Sequence, residues 1–323
     1  MSFSGRIKDK IINGQGIEYE EAEYLVNNLP LHSLFDVAST VREHYRGKKV
    51  DLCSIVNAKS GGCPEDCFYC AQSARYQTDA ETYPLISKET MVERAREALV
   101  WGARRFCIVT SGKKVNPKEL GIIASAISEI RALGFLPCAT LGILEREELQ
   151  VLKDAGLYRY HHNIETSRRF FPRVCTTHSF NDKVSTIRAA QEVGLSICSG
   201  GIFGIGETWR DRIDMAFTLK EIGVDSVPIN FLIPIKGTPM GNRPFLDPVE
   251  ALKIVSLFRL VMPEKEIRIC GGRGQTLQGF QSMAFLAGAD GLLVGDYLTR
   301  KGSPVEDDLF TIDALGLEIA RNG

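Results

Sequence analysis

The chain has 323 residues, of which 44% are hydrophobic and 24% are charged, and its formal net charge is −1. This composition is typical of a globular protein with one large domain or two small ones, and it indicates no basic surface for nucleic acid. No run of about 18 apolar residues is present, and the charged N-terminus lacks the apolar segment of a signal peptide, so we expect a cytoplasmic protein that binds no membrane.

Along the chain, predicted helices over residues 1–48 come first. Short β-rich runs then alternate with helical stretches, several of which begin at a capping residue and end near a glycine. Eight such strands predict an α/β fold, a parallel (β/α)8 barrel of the TIM type over residues 49–300, with an open doubly wound sheet as the alternative. Residues 301–323 are predicted as an acidic, loop-like and then helical tail, and all of 1–323 as a single domain. The expected caps are Ser87, Asn116 and Asn181, and the expected strands are 50–58, 104–112, 134–142, 157–165, 194–204, 225–234, 266–272 and 289–297.

Three of the nine cysteines crowd into the segment SGGCPEDCFYCAQSARY, which follows the first predicted strand. Cys63, Cys67 and Cys70 have the spacing C-x3-C-x2-C and lie in the first βα loop, on the catalytic face of such a barrel. A structural zinc site uses four ligands, usually in two separated pairs, and no histidine is near. A [4Fe–4S] cluster held by three thiolates leaves one iron open for an amine and a carboxylate. The motif therefore favours such a cluster over a zinc loop.

Six further cysteines indicate a second metal centre. Cys175 falls in a connection, but each of the other five falls in a different predicted strand. A single buried cysteine is commonly a small hydrophobic residue. Five on different strands, where alternate residues face the barrel interior, favour a shared function instead of packing alone. The five are Cys53, Cys107, Cys138, Cys198 and Cys270.

The loop motif, with Tyr69 before its last cysteine, resembles the signature of radical S-adenosylmethionine enzymes. In that family the open iron binds S-adenosylmethionine, and an electron from the cluster releases a 5′-deoxyadenosyl radical. Over about residues 50–300 the chain resembles the biotin synthase family, through GGCPEDCFYCAQSARY, RRFCIVTSG, LPCATLG, HHNIETS, ICSGGIFGIGET, SVPINFLIPIKGTP and IRICGGR in the same order. The resemblance implies a (β/α)8 barrel that inserts sulfur between C6 and C9 of dethiobiotin, with an auxiliary iron–sulfur cluster in the barrel as sulfur donor.

The resemblance also implies ligands for the auxiliary cluster, namely Cys107, Cys138, Cys198 and an arginine that matches Arg268. The chain departs from the commoner pattern because Cys270 follows Arg268 by two residues, which places both on one side of a strand. Cys53 also stands where many members have serine. Thiolate is a better iron ligand than a protonated guanidinium. We therefore expect Cys270 to be the fourth ligand, in a four-iron cluster. The alternative fourth ligands are Arg268, in a [2Fe–2S] cluster, and Cys53.

Four residues match the family's contacts to S-adenosylmethionine. Ile202, in the segment GGIFGIGE, matches a contact to the adenine. Glu165 matches an acidic residue that binds the ribose hydroxyls, and a carboxylate suits a vicinal diol as acceptor. Lys183 stands near an arginine that meets the methionine carboxylate. Tyr69 is the aromatic residue of the cluster loop, and we expect it to contact the cofactor.

Three residues are expected at the substrate. Asn163 and Asn230 match asparagines that hold the ureido ring or the ribose, and an amide that both donates and accepts suits a cyclic urea. His161 stands where an asparagine is usual. This difference counts against dethiobiotin as substrate and leaves the iron–sulfur chemistry unaffected.

The expected partners follow from the same resemblance. They are the small molecule dethiobiotin, a reductant protein such as flavodoxin or ferredoxin, and a second copy of the chain in a homodimer. Two alternatives stay open. One is another radical enzyme of similar fold, such as a hydrogenase maturase or a methylornithine synthase, which share the loop but lack the strand cysteines. The other is a non-catalytic iron–sulfur or zinc protein.

Overall fold

The computed structural model describes residues 2–320 and begins with three helices that precede the barrel. They are α1 (Phe3–Ile12), α2 (Tyr19–Asn28) and α3 (Leu31–Arg46). The Ser2 hydroxyl caps α1 by accepting from the amide of Gly5 at 3.1 Å. Helix α3 ends at Gly47, whose φ of 61° is accessible to glycine at little cost. The apolar faces of these helices pack on one another and on the outer helices of the barrel.

A closed parallel sheet forms the centre of the molecule. Cys53 of the first strand pairs in register with Arg105 of the second and with Leu293 of the last, so the sheet has no free edge. The predicted (β/α)8 barrel is confirmed, and the open-sheet alternative is wrong. The barrel strands are β1 (Lys49–Lys59), β2 (Arg105–Thr110), β3 (Leu136–Thr140), β4 (Arg159–His161), β5 (Ser196–Cys198), β6 (Gly201–Phe203), β7 (Ser226–Phe231), β8 (Glu266–Ile269) and β9 (Gly291–Leu293).

The fifth predicted strand, 194–204, is interrupted. It forms β5 and β6, which both pair with β7 and together occupy one strand position in the barrel. Between them lies Gly200, where a Cβ atom would stand 2.0 Å from the carbonyl oxygen of Pro228. The backbone of β7 therefore approaches closely, and only glycine fits there.

Helices cover the outside of the barrel. Ser87 and Asn116 cap their helices as expected, but Asn181 lies inside its helix, which is capped by the hydroxyl of Ser179. The helices are α4 (Lys88–Val100), α5 (Pro117–Ala132), α6 (Arg146–Asp154), α7 (Phe180–Glu192), α8 (Trp209–Ile222), α9 (Pro248–Val261), α10 (Arg273–Leu277) and α11 (Met283–Leu286), with 3-10 turns at Phe171–Arg173 and Gln278–Phe280.

After Lys301 the chain forms α12 (Val305–Ala314) and a short strand β10 (Glu318–Ile319). Strand β10 pairs with the start of β1, through Lys49 and Glu318, and was not expected from the sequence. Within residues 2–320, none of the helices combines the length and the apolar character that crossing a bilayer requires.

Candidate active site

A cavity of about 420 Å³ lies inside the barrel and reaches the loops that follow β1 and β9. Its wall contains every residue that the sequence analysis proposed as a cluster ligand or as a contact to cofactor or substrate, except Cys67. These residues are Cys53, Cys63, Tyr69, Cys70, Cys107, Cys138, His161, Asn163, Glu165, Lys183, Cys198, Ile202, Asn230, Arg268 and Cys270. The βα connectivity accounts for this convergence, because the loops after parallel strands meet at one end of the barrel.

The cysteine loop is held in shape by its own backbone. The amide of Cys63 donates to Gln72 O at 3.0 Å, and the amide of Cys70 donates to Cys67 O at 2.9 Å. Burial raises the pKa of the Cys70 thiol to about 11. All nine cysteines are free thiols. A cation that takes up these thiolates would offset the cost of burying their charge.

Cys67 has neighbours that the sequence did not reveal. Its sulfur lies within 4.8 Å of the ligand atoms of Cys175 and His178, in the segment before α7. A hydrogen bond with Cys175, and then burial, raise the pKa of the Cys67 thiol. The sequence places Cys175 in a connection but gives no sign that this connection lies beside the loop.

Five buried thiols form a second group in the barrel interior. Cys107 and Cys138 are direct partners in the β2–β3 register. Cys53, Cys107, Cys138 and Cys270 pack together with Leu293, and Cys198 lines the same cavity. Burial raises the pKa of every member, to about 11 for Cys138 and about 12 for Cys270. Soft sulfur donors converging on one space form a donor set that fits an iron–sulfur cluster.

A layer of buried charges lies beneath these thiols, and the sequence reasoning missed it. The layer consists of the buried residues Asp51, Arg105, Arg159 and Arg268 together with Glu266, whose side chain is 11% exposed. The guanidinium of Arg105 contacts Asp51 at 3.1 Å and Glu266 at 2.9 Å, and that of Arg159 contacts Glu266 at 2.6 Å. A signal was present, because a charged residue stands two positions before Cys53, Cys107 and Cys270. Alternate strand residues share a face, so these charges point inward below the cysteines.

Arg268 and Cys270 both line the cavity, but their contacts differ. The Arg268 guanidinium donates to the Asp51 carboxylate at 2.5 Å and to the carbonyl oxygens of Asp51 and Leu292 at 3.1 and 3.3 Å. Cys270 lies one residue beyond β8, and the hydrogen bond of its Sγ to Arg268 O is long, at 3.9 Å. The Cys270 thiol is therefore held by fewer hydrogen bonds than the Arg268 guanidinium and is the group more readily available to bind a metal ion.

Glu165 is held in a backbone conformation that is rare for this residue. Its φ is 68°, in the left-handed region, just beyond the end of β4. Its amide donates to Gly200 O at 3.1 Å, and its carbonyl accepts from the amide of Ile202 at 3.0 Å. Such strain often accompanies a functional position. Burial raises the pKa of its carboxyl group, and the ammonium of Lys183 opposes the shift.

The polar groups at the substrate end form a connected set. Asn163 Oδ1 lies 2.9 Å from His161 Nε2 and accepts from the amide of Gly200 at 3.1 Å. Asn230 uses both ends of its amide on the backbone, donating to Gly201 O at 3.1 Å and accepting from Gly271 N at 3.0 Å. Burial lowers the pKa of His161 to about 4. The imidazole is therefore neutral at pH 7.

Known proteins resemble the chain along nearly its whole length. Residues 58–219 match the model of the radical SAM superfamily, and residues 228–318 match the biotin and thiamin synthesis associated domain. A biotin synthase from Thermodesulfovibrio yellowstonii is 54% identical over 289 residues, which cover 90% of this chain and 91% of that protein. A biotin synthase from Pelotomaculum thermopropionicum is 50% identical over 315 residues, which cover 96% of this chain and 98% of that protein.

Solved structures with lower sequence identity share the fold. A methylornithine synthase superimposes with a TM-score of 0.84 at 19% identity, covering 98% of this chain and 97% of its own. A maturase of the [FeFe]-hydrogenase gives 0.84 at 16% identity, covering 99% of this chain and 76% of its own. At these identities the likeness concerns the barrel alone, whereas the relatives near 50% identity assign the family. The chain belongs to the biotin synthase family of radical S-adenosylmethionine enzymes.

Proposed function

We propose that the chain converts dethiobiotin to biotin by radical sulfur insertion, with S-adenosylmethionine as the radical source. The observation that carries the proposal is one cavity with two groups of free thiols, one in the loop after β1 and one in the barrel interior. The sequence family supports the same assignment. Two separate thiol groups suit a reaction that needs both a radical generator and a sulfur source.

Cys63, Cys67 and Cys70 would hold the [4Fe–4S] cluster of the family. When bound, this cluster supplies the electron that cleaves the sulfonium C–S bond of S-adenosylmethionine. The loop fits because its three donors are all thiols. The wall of the cavity encloses the reacting groups and so limits the access of water.

S-adenosylmethionine would lie against Glu165, Lys183, Ile202 and Tyr69. The Glu165 carboxylate can accept from both ribose hydroxyls, and the fixed backbone around it holds the side chain in place. Tyr69 is half-buried, and desolvation and then the nearby Glu165 carboxylate raise the pKa of its hydroxyl. The Lys183 ammonium can pair with the methionine carboxylate, and Ile202 offers an apolar surface to the adenine.

The auxiliary cluster would be held by Cys107, Cys138 and Cys198, with Cys270 as fourth ligand. Arg268 is the less suitable ligand because its guanidinium already pairs with Asp51. The layer beneath contributes three guanidinium groups against two carboxylates, an excess of one positive charge. That excess favours thiolates directly above it.

Dethiobiotin would bind where His161 and Asn163 line the cavity. Because Nε2–H of the neutral ring donates to Asn163 Oδ1, Nδ1 of His161 is left to accept from an N–H of the cyclic urea. Asn230 orients the loop after β8 through its two backbone bonds. We further propose a reductant protein such as flavodoxin or ferredoxin, a homodimer and a cytoplasmic location, all from the family resemblance.

The test is an anaerobic assay of reconstituted protein with dethiobiotin, S-adenosylmethionine and a reductant. Biotin and 5′-deoxyadenosine should both form, and iron, sulfide and Mössbauer measurements should give two clusters. Cys67→Ala should abolish 5′-deoxyadenosine because one of three loop ligands is gone. If the native protein cleaves S-adenosylmethionine yet yields no biotin, a maturase-like or methylornithine synthase-like reaction replaces this proposal.

A further inference from the structure

A second set of possible metal ligands lies beside the radical loop and outside the cavity wall. The ligand atoms of Cys67, Cys175 and His178 all lie within 4.8 Å of one another. Cys175 Sγ is 3.2 Å from His178 Nδ1, and the same nitrogen is 2.5 Å from Glu65 Oε2. Two sulfurs and one nitrogen thus lie close together, and the Glu65 oxygen lies beside the imidazole.

The side chains of Cys175, His178 and Glu65 are buried, that of Cys67 is half-buried, and hydrogen bonds join Cys175 to His178 and His178 to Glu65. Cys175 is 3% exposed, and the side chains of His178 and Glu65 are 5% and 9% exposed. A divalent cation can take the place of protons shared among such acceptors. Two thiolates, an imidazole and a carboxylate form a donor set typical of tetrahedral zinc and also suited to ferrous iron.

The backbone around the set is already ordered. The Asp66 carboxylate accepts from the amides of Thr176 and Thr177 at 2.9 and 3.2 Å and lies 3.2 Å from Cys175 Sγ. The Thr177 hydroxyl donates to Glu65 Oε2 at 2.8 Å. These bonds tie the loop to the segment before α7, so the ligands need little rearrangement to converge.

We propose that the chain, when free of the radical cluster, binds one divalent transition-metal ion between Cys67, Cys175 and His178, with Glu65 as the fourth ligand. On binding, the protons held by the two sulfurs and the imidazole pass to solvent, so both sulfurs bind as thiolates and the imidazole binds as the neutral ring, and no electron is transferred. The two thiolates and the carboxylate together carry three negative charges, one more than the two positive charges of the ion. The ammonium of Lys183 acts to lower the pKa of both Cys67 and His178 and so offsets part of that excess.

The ion and the radical cluster exclude each other because Cys67 belongs to both donor sets. This exclusion rests on the proposed role of Cys67 in the cluster, whereas the metal site itself does not. A bound ion would keep Cys67 from the cluster until it is displaced. Assembly of the cluster would then begin with a competition at this one thiol.

Anaerobic titration of the full-length, cluster-free chain with Co²⁺ tests the metal site. Thiolate-to-cobalt charge transfer and ligand-field bands report tetrahedral ions and their number. Cys175→Ser and His178→Gln should each bind one ion fewer than the native chain. Cys63→Ala, the matched control, should bind as many as the native chain. The barrel thiols are unchanged in all four proteins, so the difference isolates this site.

The opposite pattern overturns the proposal. If Cys63→Ala loses the ion and Cys175→Ser keeps it, the metal binds within the C-x3-C-x2-C loop. Equal numbers of bound Co²⁺ ions in all four proteins would also refute the site. Circular dichroism establishes that each variant is folded, and if Cys175→Ser is not, His178→Gln alone decides.

A second measurement tests the exclusion. Native and Cys175→Ser chains are loaded with one equivalent of Zn²⁺, and formation of the reduced [4Fe–4S] signal is followed by EPR during reconstitution. Zn²⁺ should delay the signal in the native chain and have a smaller effect in Cys175→Ser. Equal delay in both would refute the exclusion. Biotin formation is not a readout, so failure here is distinct from failure of the proposed function.

Discussion

The Arg268 guanidinium donates a hydrogen bond of 2.5 Å to the Asp51 carboxylate, and both groups are buried at the base of the cavity. Glu266 lies 3.3 Å from the same guanidinium. An arginine paired in this way would have to leave a carboxylate, and also lose a proton, before it bound iron. The pairing gives Arg268 a structural task that Cys270 does not share.

Cys270→Ser should therefore change the auxiliary cluster more than Arg268→Met does. The serine variant loses a thiolate ligand, so its auxiliary Mössbauer or EPR signature should change and sulfur insertion should stop, while S-adenosylmethionine cleavage is partly retained. In Arg268→Met, Asp51 still pairs with Arg105 at 3.1 Å, so the site should persist. A native cluster in Cys270→Ser together with its loss in Arg268→Met would make the arginine the ligand.

Glu165→Gln should weaken the binding of S-adenosylmethionine. The amide keeps the size of the side chain but lacks the charge that strengthens hydrogen bonds from the ribose hydroxyls. Hydrogen bonds to charged groups contribute about 1–1.5 kcal/mol more than neutral ones, which corresponds to roughly a 5- to 12-fold rise in Kd. Equilibrium binding of S-adenosylmethionine to the reconstituted protein measures this change in Kd. Glu147→Gln, at an exposed position of α6, is the control, and equal affinities in both variants would remove Glu165 from the ribose site.

His161 should make the stability depend on pH below neutrality. Burial lowers its pKa from 6.5 to about 4, so between these values the unfolded chain binds more protons than the folded chain. Stability is then complete above pH 6.5 and falls as the pH drops toward 4. Because the ring borders the open cavity, we expect an effect on the order of 1 kcal/mol.

Urea unfolding of the native chain and of His161→Asn at pH 5 and pH 7 measures this effect. Other titrating groups are common to both proteins, so the difference between their pH dependences belongs to His161. The native chain should lose more stability at pH 5 than the variant does. Identical pH dependences would mean that the imidazole titrates as it does in the unfolded chain.

The alternation of strands and helices predicted a parallel α/β fold, because each strand pattern is local, but closure of the sheet depends on the pairing of β1 with β9, which are distant in the chain. The break at Gly200 was not predictable, since it arises from the approach of the Pro228 carbonyl in another strand. The cap of α7 is Ser179 and not the predicted Asn181, because the Ser179 hydroxyl accepts a hydrogen bond from the amide of Asp182.

For the site, the short spacing of Cys63, Cys67 and Cys70 fixes their proximity within the chain itself. The strand cysteines were grouped correctly around one cavity because inward positions alternate along each strand. The contact of Cys67 with Cys175 joins distant parts of the chain and depends on how the segment before α7 folds back. No spacing rule predicts such a contact.

Glu266 should be the residue of the charged layer whose neutralisation costs most stability. Burial raises the pKa of its carboxyl group, but Arg159, Arg268 and Arg105 outweigh burial and hold the pKa well below its usual range. In Glu266→Gln, the buried Arg159 guanidinium loses its carboxylate partner, whereas Arg105 and Arg268 keep Asp51. Removing one partner of a buried ion pair costs about 3–5 kcal/mol, because the remaining charges are left uncompensated.

The control is Asp36→Asn, which neutralises one partner of an ion pair with Lys8 on the surface. The side chains of that pair are 31% and 65% exposed, and such pairs contribute about 0–1 kcal/mol. Urea unfolding of both variants, cluster-free and anaerobic at pH 7, should give a much lower midpoint for Glu266→Gln. If the two midpoints fall by the same amount, water or rearranged neighbours compensate the guanidinium groups, and the layer does not stabilise the barrel as an ion-pair network.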